Sequence, residues 1–422
     1  MNKKITKSNF DSIYNVKDFG AVGDGKFDNT QAFNNALSTA EKNGGGIVFV
    51  PAGNYLFKGH INIPIAVTLQ GTFSYATSHD GFKRSVRSEE NAVIGEHGTV
   101  LMPTADKGTE DAEAFITINT NAALKGLVIY YPEQIVSYEP YKYPWAVAMR
   151  GCNAAIIDVE LLNPYNAIDA NNSPRHYICR VFGQPLRRGI YIDGIHDIGR
   201  IEDIHFNPFW DNTPPINDFM TKNGEAFLIG RCDWEYMVNC FAIFYKTGFI
   251  FDDFGNGKPN VLLTQCGHDE SPSTVIINQT QYHSGVSFDN CQMMGELYIN
   301  ETNEGPVKFS NCGFWGTPNG RLDQIGTSSL MNLKGNCHVT INGCHFYGWD
   351  SNPNTKGSPA INVDCESSTI TYCNFIGDGR EHIHVGENAQ KCIIMGNKFN
   401  DGIKIKKENE SSVEEAFNFN IS

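Results

Sequence analysis

Short apolar runs of alternating character recur along most of this chain, each closed by glycine, asparagine or aspartate. From Ala114 onward they fall into pairs. A first run, such as AFITI, WAVAM, NAIDA, GIYID, EAFLI or GFIFD, is followed by a turn and by a second run of the form h-x-h-x-x-C-x-F. The second runs close in VNCFAIF, TQCGH, DNCQM, SNCGF, NGCHF, TYCNF and GNKF. Their aligned positions, Cys240, Cys266, Cys291, Cys312, Cys344, Cys373 and Asn397, recur at intervals of 26, 25, 21, 32, 29 and 24. A period of roughly 20–30 residues with short strands and Gly/Asn turns predicts a parallel β-helix, in which each coil buries its apolar positions against the coils above and below. A β-propeller needs about 40 residues and four strands per blade, which the spacing excludes. The expected fold is therefore all-β: one solenoid domain over residues 1–422, with about a dozen coils, regular coils over 114–405 and a charged tail over 406–422. The cysteine column reads as small core residues stacked about 4.8 Å apart, not as a metal ladder.

The start of the chain breaks this rhythm. In residues 15–63, a glycine-rich turn precedes Asn29 and Thr30, a good N-cap pair, and Phe33, Ala36, Leu37 and Ala40 follow at helical spacing. Gly44 to Gly46 stops this helix, and IVFVP is a buried strand. Asp24 and Asp28 read as turn and helix-start residues. The string DFGAVGDG…DNTQAFNNAL…GGGIVFVPAGNY is similar to the opening of pectin-lyase-like right-handed β-helix proteins, most of all the pectate-lyase-superfamily and glycoside-hydrolase-family-28-related group. The resemblance covers about an eighth of the chain. It implies a right-handed solenoid whose first coil is capped by the short helix, and a carbohydrate-active protein.

Composition narrows the partners. The chain has 33 Lys plus Arg against 47 Asp plus Glu, a net charge of −14, which disfavours nucleic acid. A polyanionic ligand would need a local basic patch or a metal. No apolar run is long enough to span a membrane, and no signal peptide is visible at the N-terminus. Together with cysteines lying in strand patterns without a CxxC pair, this reads as a cytoplasmic protein, or a secreted one if a signal has been removed. A homo-oligomer, a trimer in particular, is compatible with the fold.

Chemistry is sought on the outward positions. Aligning IIDVELL, YICRVF and IEDIHF to the cysteine strands puts Val159, Cys179 and Ile204 in the inward slot. The residue after the slot is then Glu160, Arg180 and His205, and the residue before it Asp158, Ile178 and Asp203. Two long interruptions, 131–145 with Trp145 and 207–224 with Phe209 and Trp210, flank this charged face as lid-like loops whose rings suit sugar stacking. Glu225, Arg231, Asp233 and Glu235 follow. Glycoside cleavage needs two carboxyls, about 5 Å apart for retention or about 6.5–9.5 Å for inversion. The expected pair is Asp203 and Asp233, with Glu225 in reserve. His205 and Arg180 would orient the substrate, and Glu160, Arg231, Glu235, Trp145, Phe209 and Trp210 would bind it.

The family-28 catalytic strings are not matched. Active polygalacturonases carry NTDG-type, DD and GHG segments, where this chain has NAID (166–169), DD (252–253) and GHD (267–269). Three readings stand. The first is a glycoside hydrolase, or a related glycosyl-transferring enzyme, acting without a cofactor. The second is a uronate-glycan lyase or epimerase, for which Asp252, Asp253 and Asp269 could hold Ca2+. The third is a non-catalytic glycan-binding scaffold.

Overall fold

The computed structural model describes residues 12–79, 94–320, 325–377 and 379–421. Every strand pairing is parallel, and each strand pairs with its counterparts one coil before and one coil after. The result is a right-handed parallel β-helix with three sheets. The first sheet holds the first runs, and the second and third sheets are the two halves of each second run. In the first sheet the inward register runs Val147, Ile168, Ile190, Phe227, Phe249 and Val275. In the second it runs Ile156, Ile178, Ile201 and Met237, and in the third Val159, Val181, Ile204 and Cys240. All of these are buried. Stacking in register also brings identical rings together: Phe314, Phe346, Phe375 and Phe399 follow one another at 5.4, 4.7 and 4.9 Å between centroids. The cysteines of the column are free and buried in the same way.

A single residue turns each coil from the second sheet to the third, and it lies in the left-handed region. Gly126, Asp158, Arg180, Asp203, Asn239, Gln265, Asn290 and Asn311 all have φ between +51° and +66°. Asp and Asn tolerate this conformation better than other side chains, which explains their recurrence just before the cysteine. The turn also cancels one step of strand alternation. Inward residues on either side of the corner are therefore three apart: Ile156 and Val159, Ile178 and Val181, Ile201 and Ile204. This corrects the expected alignment. The inward slot holds Val181, not Cys179, so the outward column after the slot is Glu160, Phe182 and His205. Arg180 belongs to the corner column with Asp158 and Asp203.

The N-terminal cap is helix α1 (Thr30–Lys42), which buries Phe33, Ala36, Leu37 and Ala40 against the first coils. Its start is held by Asp28, which accepts from the Thr30 amide and hydroxyl, while Asn29 turns inward to accept from the Val22 amide. The interruption after Phe206 is not an irregular lid. It contains helix α2 (Pro214–Asn223), which buries Ile216, Phe219 and Met220. The segment ahead of α2 is tied down by Gln184, whose Oε1 accepts from the Trp210 and Asp211 amides at 2.9 Å each. Among the described residues no helix is long and apolar enough to cross a membrane.

Candidate functional site

A group of half-buried rings and charges lies on the outward side of the first sheet. There, Trp145, Asn166, Arg188 and Glu225 occupy equivalent positions on four successive coils, and Asp169, Tyr191 and Leu228 form the next outward column. Strand alternation sends Asp169, Tyr191 and Leu228 outward because Ile168 and Ala170, Ile190 and Ile192, and Phe227 and Ile229 on either side of them fill the core. The Trp145 column instead stands at the strand starts, where alternation is broken by two consecutive buried positions such as Ala146 and Val147. Trp145 and Tyr191 stack nearly parallel (6.2 Å, 21°), and Phe254, from the turn after the next first-sheet strand, meets Tyr191 edge-on at 5.5 Å. With Arg187, Arg188, Glu225 and Leu228 these rings line a cleft of about 450 Å³.

Charge in the cleft is arranged around Arg188. Glu225 Oε2 lies 2.6 Å from Arg187 Nη1 and 3.6 Å from Arg188 Nε. Glu110, from the crossing that precedes the Ile116–Ile118 strand, reaches the other end of the same guanidinium, with Oε1 4.0 Å from Nη1, and is also paired with Lys142 at 3.6 Å. Two carboxyls that share one planar guanidinium are no more than roughly 10 Å apart. Tyr191 donates its hydroxyl to Asp193 Oδ2 at 3.0 Å, and burial together with that carboxylate pushes the phenol well above its ordinary range. It is a neutral donor and platform at physiological pH.

The residues expected from the sequence are distributed over several places. Trp145 and Glu225 meet in this cleft. Asp203 and Asp233 do not meet. Asp203 sits at the second-to-third corner and accepts from Asn239 Nδ2 at 2.7 Å, whereas Asp233 lies six residues earlier along the next coil's strand and is bound to Arg231 at 2.5 Å. Glu160 is fully buried, because the 72–79 segment crosses over it. Thr77 Oγ1, the His79 amide and His79 Nδ1 approach its carboxylate at 2.6, 2.8 and 2.8 Å. Glu235 is also buried, at 3.0 Å from His176 Nε2. Burial alone would lower the His176 pKa, but the charge and hydrogen bond of Glu235 outweigh it and raise it. Arg180 pairs with Asp158 at 2.5 Å and lies over Tyr75. His205 is packed edge-on against Phe182, Phe209 and Phe241. Phe209 is buried in that cluster and Trp210 is packed against it. Asp252 and Asp253 serve their own turn and Asn278, and among the described residues no group of three or more His, Cys, Asp or Glu could hold a metal ion.

Arg187, Arg188 and Tyr191 in the cleft lining, and Glu110 beside it on Arg188, are not among the residues expected from the sequence. The signal for one of them was present: Tyr191 stands between Ile190 and Ile192 in the GIYID run, and the alternation rule applied to the first runs instead of the second identifies it. Arg187 and Arg188 precede that run and are not marked by alternation. Glu110 comes from a non-repeating crossing and has no such signal.

With this geometry in hand, the relatives can be placed. Residues 13–132 match the family described as rhamnogalacturonase A/epimerase, pectate lyase-like. Alginate lyase 7 of Azotobacter vinelandii is 56% identical over 46 residues, 11% of this chain and 5% of its own length, so the similarity is confined to a small part of that relative. Among solved structures, the bacteriophage Phi29 gene product 12 N-terminal fragment superposes with a TM-score of 0.65 at 15% identity, covering 96% of this chain and 70% of its own. DFA-IIIase from Arthrobacter chlorophenolicus A6, without its lid and in complex with GF2, gives 0.55 at 11% identity over 96% and 98% of the two chains. These structural likenesses establish the fold.

Proposed function

We propose that this chain, a member of the pectin-lyase-like right-handed parallel β-helix superfamily, is a carbohydrate-active enzyme whose active site is the first-sheet cleft. One observation carries the proposal: stacked, accessible rings (Trp145, Tyr191, Phe254) stand beside two carboxyls held on one arginine. Aromatic faces take the apolar face of a pyranose ring. Arg187 and Arg188, with Lys142 nearby, supply the local positive field that an acidic glycan needs on a chain of net charge −14. The substrate class is therefore a poly- or oligosaccharide carrying carboxylates, and Arg188 orients it.

Hydrolysis is the reading favoured by the carboxyl pair. Glu110 and Glu225 flank Arg188, and their separation falls under the roughly 10 Å limit within which both glycosidase geometries lie. One carboxyl protonates the leaving glycosidic oxygen, and the other attacks the anomeric carbon or activates water. The arginine cluster, together with the short match to an alginate lyase, favours lyase or epimerase chemistry at the same cleft as a second reading. A product assay on polygalacturonate, alginate and a neutral glucan separates them. New reducing ends without unsaturated product support hydrolysis, unsaturated ends support elimination, and no turnover on any glycan by the intact chain defeats the enzymatic reading.

A further inference from the structure

A second concave surface lies on the far side of the 252–258 turn from the cleft just described. It is a groove of about 700 Å³ formed where second-sheet strands begin on three successive coils, Arg231 to Trp234, Lys258 to Asn260, and Gln281 to Ser284, with Asp197 from the coil before at its edge. Trp234 is 52% exposed and Tyr282 is 77% exposed, so two large rings stand in solvent where an exposed ring is not needed by the core. The polar groups between them are already fixed. Arg231 is held by Asp233 at 2.5 Å, Lys258 by Glu304 at 3.0 Å, and Asn260 donates Nδ2 to the Asp233 carbonyl at 2.5 Å. The outer two coils are separated by roughly 10 Å, which is room for a short oligosaccharide lying along the helix axis.

The groove is joined to the cleft through one buried carboxylate. Asp193 accepts the Tyr191 hydroxyl and Asn256 Nδ2 on Oδ2, at 3.0 and 2.8 Å, and the Arg231 amide on Oδ1 at 2.8 Å. The wall of the first site and the first residue of the second are thus positioned by the same group. Two exposed rings, immobilised cationic groups and a shared wall are what a glycan passing from one surface to the other would meet.

We propose that the Trp234–Tyr282 groove is a second, non-reacting saccharide site, which holds a distal segment of the same acidic glycan that the first cleft takes. Trp234 and Tyr282 supply ring faces, and Arg231 and Lys258 face the sugar's carboxylates and hydroxyls. The inference rests on the glycan reading of the first cleft. Asp233, expected from the sequence as half of a catalytic pair, acts here as a positioning residue for Arg231.

The test is affinity electrophoresis of the full chain in gels containing polygalacturonate, alginate or a neutral glucan, with Glu225→Gln as the background so that the polymer is not consumed. Trp234→Ala/Tyr282→Ala is expected to weaken retardation by at least one acidic polymer about tenfold, with unchanged circular dichroism and melting temperature. Because both rings are exposed, the variant should fold, and Trp234→Phe should restore most of the retardation. Undiminished retardation in the double variant overturns the second site, as does absence of retardation by all three polymers. The two readings fail separately. Retardation that depends on Trp234 without turnover by the unsubstituted chain keeps this site and removes the enzymatic reading, whereas turnover abolished by Glu225→Gln with no Trp234 dependence does the reverse.

Discussion

The outward sides of the first and third sheets carry the same kinds of side chain at the same ladder spacing, yet the charged stretch of the third sheet is covered or packed while that of the first lines a cleft. On the third sheet and its corner, Glu160 is covered by Thr77 and His79, Arg180 is spent on Asp158, and His205 is enclosed by three phenylalanine rings. On the first sheet, Trp145, Tyr191 and Phe254 expose ring surface to a cleft, and Glu225 and Glu110 meet at a guanidinium that a ligand can share. Charge repeated coil after coil therefore does not mark a site in a solenoid. What distinguishes the site is that its rings and guanidinium keep an accessible face after pairing with each other, whereas the crossing segment 72–79 covers Glu160 on the third sheet.

The sharpest way to break this comparison is to exchange the charged groups. Glu225→Gln and Glu110→Gln should each lower kcat/KM on the accepted glycan by about 10²–10⁴-fold, since each removes one of two acid/base groups. Asp203→Asn should leave it within about twofold. Initial rates on purified, equally folded variants check both. If Asp203→Asn has the larger effect, the two faces have been assigned the wrong way round.

Next in size is the closed face. Glu160→Ala removes a buried acceptor of the Thr77 hydroxyl and the His79 amide and should lower unfolding free energy by about 3 kcal/mol, as losing hydrogen bonds to a buried charged group does. The double variant Glu160→Leu/His79→Leu should recover part of that loss, because the uncompensated partner is gone as well. Urea denaturation followed by tryptophan fluorescence measures both. Equal losses in the single and double variants would mean that the covering segment contributes through packing and not through this pair.

The same sheet holds a polar group on its inner side. His268 takes the register position of Ala242 and Met293, facing the core, and neither ring nitrogen has a hydrogen-bond partner. Burial lowers its pKa to about 3. The folded state thus keeps His268 neutral while the unfolded chain takes up a proton near pH 6.5, so stability contributed by this residue is constant above that pH and falls as pH drops from 6.5 toward 3. The slope is at most about 1.4 kcal/mol per pH unit. His382, lowered to about 4 by burial and then by Lys404, acts with the same sign. His268→Met should raise stability at pH 7 by about 1–3 kcal/mol and make the acid limb of the stability curve shallower without abolishing it. A melting-temperature series from pH 7.5 to pH 4.5, roughly the window those shifts define, reads the effect; an unchanged acid limb in the variant refutes it.

How much of this could be read from the chain follows from which interactions repeat. The coil period, the cysteine column and α1 were legible because each depends on local alternation, capping or spacing that recurs. The alignment of YICRVF failed by two residues because one left-handed residue, Arg180, replaces the expected Asn or Asp, and with it the marker of the corner. Trp145 and Glu225 were found from residue type and a neighbouring loop, and they do share a cleft. Asp203 and Asp233 were paired as carboxylates on adjacent coils, which brings two side chains together only when they share a column, and these two lie six positions apart along the strand. The burial of Glu160 and Glu235 depends on His79 and His176, more than 50 residues distant in each case, and no local pattern encodes such a contact.

Asp203 itself gives the smallest and most discriminating effect. Its backbone is left-handed at φ +54°, and its side chain does no more in the folded protein than accept from Asn239 and shape the corner. Asp203→Ala should therefore cost about 1 kcal/mol, from the left-handed penalty and one lost hydrogen bond, with no change in turnover. Asn at this position keeps both the left-handed tolerance and an acceptor oxygen, so Asp203→Asn should recover nearly all of that loss. Glycine should recover the conformational part alone, as it does naturally at Gly126 and Gly343 in the same column. The order Asn, Gly, Ala in thermal stability is what a corner residue produces. A catalytic carboxylate would instead make all three variants equally inactive, and that outcome would move the active site from the first sheet to the third.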